Sequence, residues 1–150
     1  MHLNMLSLNR NSNFRGDEME KTNNKATNFQ DKLNSTEKIV FSISSFYEGD
    51  VEREITFKDN KTILKKTSSK LGKEEENLMK NMGLTKDEFI KKLSLLKIEN
   101  WDDEYFAPAL DGEDCELKIY FLGDKKCLSK TGSNAYPSNF NELCNLLEVE

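Results

Sequence analysis

The sequence predicts an α+β fold, an antiparallel sheet of about five strands with helices on one face. Three observations carry this reading. Apolar residues alternate with polar ones through Ile39–Ile43, Val51–Phe57 and Cys115–Phe121, the period of a half-buried strand. Turn residues separate these runs at Glu48-Gly49-Asp50, Asp59-Asn60 and Gly123-Asp124. Downstream of each hairpin stands a stripe of helical spacing, Phe89, Leu93 and Leu96 in the first case and Phe140, Leu143, Cys144 and Leu147 in the second. Strand hairpins followed by helices place the helices on one side of an antiparallel sheet.

Each element follows from local chemistry. Residues 1–36 contain no Val or Ile and eight Asn, too little apolar surface to offset the entropy of ordering them. Residues 1–37 are therefore expected to be a disordered or loosely attached leader, and 38–150 a single α+β domain. Ile39, Phe41 and Ile43 share one face of the first strand. Val51, Ile55 and Phe57 line the second, with Glu52, Glu54 and Lys58 outward. Asp59 and Asn60 both tolerate positive φ and suit a tight hairpin, and Lys61–Lys66 returns. A short helix is expected over Glu74–Met82, stopped by Gly83. Thr85 and Glu88 form a capping box for the next helix, and Asn139 and Glu142 stand in the same relation for the last.

Sliding Glu52–Ser69 onto Glu116–Ser133 without a gap matches eight of 18 positions. One reading is a tandem ββα duplication. The other is two hairpins that obey the same pattern rules.

Composition narrows function. With 150 residues the chain is one domain, and no apolar run reaches the roughly 20 residues of a membrane helix. The net charge of −5 argues against direct nucleic-acid binding, and with no export signal in the opening residues the expected location is cytoplasmic. The lone histidine, His2, leaves Cys115, Cys127 and Cys144 without a base, and their spacing fits no zinc pattern; all three are expected to be small buried residues. No Walker loop, GxGxxG or GxSxG occurs. No cofactor, metal or catalytic residue is expected, and an enzyme is the less favoured reading.

Charge is distributed unevenly. Residues 99–116 hold eight acids and no base, whereas 58–73 hold six lysines and Asp59. The acidic run reads either as a solvated loop or as a docking surface for a basic protein. The lysines read as protection of an edge strand.

Gly132-Ser133-Asn134-Ala135-Tyr136-Pro137 is the most specific string, joining the last strand to the last helix. With Trp101–Tyr105, Asp111-Gly112, the following hairpin and Asn139-Phe140, it resembles a group of uncharacterised small bacterial proteins over roughly 101–147. That resemblance implies the hairpin and C-terminal helix but no activity. Asn134 and Tyr136 either fasten the loop or help to line a recognition surface. The sequence thus points to an acidic protein-binding module, an immunity or antitoxin-type inhibitor of a basic partner being one concrete form. Its candidate contact residues are Trp101, Asp102, Asp103, Glu104, Tyr105, Asn134 and Tyr136. The alternative is a small-ligand or enzymatic domain with a pocket built from Trp101, Tyr105, Asn134 and Tyr136.

Overall fold

A computed structural model describes residues 28–150 apart from 71 and 73. The leader residues 1–27 lie outside the described residues. The ordered fold begins well before residue 38, because residues 28–34 are helical and Leu33 is 1% exposed within the core. The chain then enters β1 (Thr36–Ser45), whose first residue is tied back by Thr36 Oγ1 donating to Leu33 O at 2.6 Å. The expected leader therefore ends too late: its last ten residues form a helix and the start of a strand.

β1 is followed by β2 (Gly49–Lys58), β3 (Lys61–Ser69), β4 (Glu76–Thr85) and the helix α1 (Lys86–Ser94). A 3-10 turn (Ile98–Asn100) leads to β5 (Glu104–Phe106), β6 (Glu113–Phe121), β7 (Leu128–Ser133) and α2 (Phe140–Leu146). The sheet has seven strands in the order β4-β3-β2-β1-β6-β7-β5, antiparallel except for the β5–β7 pair. The α+β class holds, with two strands more than expected.

The first extra strand is β4, which replaces the expected helix over Glu74–Met82. Its inner edge pairs with β3 from Ser68↔Glu76 to Ile63↔Asn81. Gly83 takes φ +76 not as a helix stop but in an irregularity of the strand, where its N–H donates to Asn81 Oδ1 at 2.8 Å. β3 is consequently an inner strand, so its lysines do not protect an edge. The second extra strand, β5, is only three residues long.

Other local expectations hold. Asp59 and Asn60 both sit at positive φ between β2 and β3. Thr85 and Glu88 make the full reciprocal capping box, at 3.1 and 2.9 Å, and α1 buries Phe89, Ile90 and Leu93. At α2, however, Asn139 makes no side-chain cap. Its Nδ2 instead donates to Leu96 O at 2.7 Å, tying α2 to the end of the α1 segment.

The topology argues against duplication. β2 and β6 run in the same direction on either side of β1, and Ile39 pairs with both Ile55 and Ile119, all three buried. Shifting β2 onto β6 with the same face inward would carry β3 into the place of β1. β7 lies on the opposite side, so the two hairpins have opposite hands. A copied unit would keep its hand; the eight matches reflect shared hairpin rules.

The core lies between the sheet and the helices. Phe41 tilts against Phe140 at 5.8 Å between ring centroids, and Phe57 meets Phe89 edge-on at 5.9 Å. Side chains of this size each contribute about 1.5–3 kcal/mol through burial. Beyond the helices, the C-terminal segment covers the same sheet face. Glu148 Oε1 pairs with Lys66 at 2.8 Å and Lys80 at 3.0 Å, while Arg53 Nη2 donates to the Glu148 carbonyl at 3.0 Å. Those lysine hydrogen bonds hold the Glu148 carboxyl below its usual range. No described helix is long and apolar enough to cross a membrane.

Candidate partner-docking face

The residues of β1 that alternate with Ile39, Phe41 and Ile43 point away from the helices, onto the open face of the sheet. Register then fixes their neighbours. Ser42 lies between Glu52 and Glu116, and Ser44 between Asp50 and Asp114. The same two rows continue through Thr131 to Glu104 and through Ser133 to Phe106. In the other direction they reach Thr67, Asn77 and Ser69. Neither row contains a lysine or arginine.

Five carboxylates from three strands, Asp50, Glu52, Asp114, Glu116 and Glu104, thus share one end of one face. Short Ser and Thr side chains separate them and leave a shallow concavity of about 410 Å3 over β1, β6, β7 and β5. Its border with the rest of the face is marked by Lys118, which pairs with Glu116 at 3.4 Å.

An apolar fringe adjoins the acids. Phe46 and Tyr47, in the β1–β2 turn, meet edge-on at 5.0 Å and are exposed. Tyr47 O–H donates to Asp111 Oδ2 at 3.0 Å, which brings this turn to the loop carrying Leu110. Phe106 is 74% and Leu110 91% exposed. Large apolar side chains exposed beside polar ground are characteristic of interaction surfaces.

The sequence-derived contact residues separate in three dimensions. Glu104 alone among them lies in the two acidic rows. Asp102 and Asp103 flank the sheet edge, where Asp103 Oδ1 accepts from Lys130 Nζ at 2.8 Å; that bond holds its carboxyl below the usual range. Trp101 and Tyr105 are half-buried around a cleft of about 10 Å3, room for roughly one water molecule. Neither Asn134 nor Tyr136 lines that cleft, so it is not the pocket envisaged from Trp101, Tyr105, Asn134 and Tyr136.

Asn134 and Tyr136 fasten the loops that shape the face. Asn134 stands at φ +57. Its Oδ1 accepts the Glu113 N–H at 2.7 Å and its Nδ2 donates to Ala107 O at 3.2 Å. Tyr136 donates to Glu113 Oε1 at 2.6 Å and stacks on Phe140, and burial followed by this carboxylate raises its pKa. Glu113 therefore leaves the open face, as the alternation of β6 requires.

Of the three cysteines, only Cys115 is buried; Cys127 and Cys144 are half-buried. Cys144, on the flank of α2, packs partly buried against the core, whereas Cys127, in the wide β6–β7 connection, does not reach the interior as expected. Burial and Glu113 push the Cys115 thiol up to about 11, and burial also raises that of Cys144. Neither has the lowered pKa of a reactive nucleophile. Among the described residues, no group of three or more His, Cys, Asp or Glu side chains is arranged to hold a metal ion.

Asp50 and Glu52 were not among the sequence-derived contact residues. Glu52 was legible in the outward alternation of Val51–Phe57 and Asp50 read as a turn residue, but only register places them beside Asp114 and Glu116. No protein-family model matches this chain, and no curated protein matches its sequence.

Proposed function

We propose that this chain is a protein-binding module that docks a basic partner on the acidic open face of its sheet. An inhibitor of the immunity or antitoxin type, which works by occupying its target, is the concrete form of this reading. The observation that carries it is the pair of cation-free rows holding Asp50, Glu52, Asp114, Glu116 and Glu104. Like charges this close raise the energy of the free protein, and a cationic surface relieves that repulsion on binding. The carboxylates steer encounter, and Phe46, Tyr47, Phe106 and Leu110 supply the apolar contacts that slow release.

The test compares three baits in extract from the native host: the wild type, D50N/E52Q/D114N/E116Q, and the edge control D102N/D103N. A basic protein held by the wild type and the edge control, but lost by the open-face variant, is the expected result. Its association rate should fall steeply with salt for the wild type and weakly for the variant. Equal capture and equal salt slopes for wild type and variant would refute the proposal.

A further inference from the structure

The two borders of the sheet are unlike. β5 is three residues long, too short to template another strand. β4 is ten residues long and pairs only with β3, so among the described residues its outer backbone edge has no partner. Natural edges are usually blunted by inward-pointing charges, proline, bulges or shortness. β4 does carry the inward-pointing charges Glu76 and Lys80, but their opposite signs match a second β4 laid antiparallel, and the irregularity at Gly83 affects only the distal end, beyond Asn81. The stretch Glu76-Asn77-Leu78-Met79-Lys80-Asn81 stays in regular register with β3, and Leu78 and Met79 are 54% and 65% exposed.

This stretch is self-complementary. Laid antiparallel to itself about Leu78, it sets Leu78 against Leu78 of a second copy and Glu76 against Lys80 at both ends. Residues spaced by two share a face, so Glu76, Leu78 and Lys80 lie together on the helix-bearing side. Opposite charges directly across a strand pair stabilise it, and like charges there oppose it. We propose that β4 pairs with β4 of a second copy in this register, forming a two-fold dimer with one continuous sheet. Directly paired residues share a face, so both helix layers fall on one side and both acidic faces on the other. This inference rests on the edge of β4 and is independent of what the acidic face binds.

The dimer is tested by sedimentation of the full chain over a range of concentrations, with folding checked by circular dichroism. The wild type should dimerise reversibly, and L78K, which sets two ammonium groups against each other at the centre, should be monomeric. E76K and K80E each create two like-charge pairs and should weaken association by about tenfold; K80E also breaks the Lys80–Glu148 pair within the chain, so E76K alone carries the single-variant comparison. Mixed in equal amounts, E76K and K80E should recover it, since both cross-strand pairs are then opposite in sign. A wild type that stays monomeric at the highest attainable concentration overturns the proposal. So does an L78K protein that dimerises as the wild type does, or a mixture no tighter than its components.

Discussion

Replacing Gly112 by alanine tests whether Asn134 is the fastener that the geometry describes. A Cβ at Gly112 would collide with the side-chain amide of Asn134, whose two hydrogen bonds hold Glu113 and Ala107 in place. The amide cannot move away without breaking them, so G112A should cost about 2 kcal/mol, within the range for overpacking. N134A loses two hydrogen bonds at about 1 kcal/mol each. It also holds an alanine at positive φ, adding about 1 kcal/mol, for roughly 3 kcal/mol in all. N134G keeps the backbone unstrained and should cost about 2 kcal/mol. The informative variant is G112A/N134G. Independent effects would sum to about 4 kcal/mol, but with the amide gone the added methyl has room, so about 2 kcal/mol is expected. Urea unfolding followed by the fluorescence of Trp101, the only tryptophan, measures all four variants. A neutral G112A, or a double variant that equals the sum of its parts, would refute the reasoning.

Two further predictions concern titratable groups. The Glu148 carboxyl has a lower pKa in the folded chain than its usual value, through Lys66 and Lys80. The stability it adds is therefore present above the unfolded pKa and lost as pH falls through the folded one; E148Q should be less stable than the wild type near pH 7, and the difference should shrink on acidification below about pH 4 in denaturant titrations. For the thiols, mass spectrometry of maleimide-treated protein should show Cys115 modified only after unfolding, because burial and Glu113 keep its thiol protonated at pH 8; labelling of native Cys115 within minutes would contradict its placement.

Legibility in the sequence tracked burial. Ile39–Ile43, Val51–Phe57 and Cys115–Phe121 could be read as strands because one face of each meets the core and the other meets solvent. Glu76–Thr85 could not, since an outermost strand buries few side chains and its Glu, Leu, Met and Lys residues also favour helix. The helix around Leu33 escaped because one well-buried leucine sets no period. At the candidate site, adjacency along the chain misled. The eight acids of 99–116 looked like one patch, yet Glu113 turns inward to Tyr136 and Asp103 turns to Lys130. Asp50 and Glu52, far away in sequence, complete the patch through pairing that no local pattern encodes.

The central place of β1 sets the order in which the sheet can be built. One side of β1 is closed by its immediate successor, β2, through a short turn that costs little entropy. The other side needs β6, whose Ile119 reaches Ile39 only after three further strands and a helix have been made. Closing a loop of that length carries the larger entropic cost of the two. As the chain emerges during synthesis, the β1–β4 half and α1 can assemble first, leaving Phe41 and Ile39 beside an open ladder. That half-made edge is the stage most exposed to aggregation, and the arrival of β6 ends it.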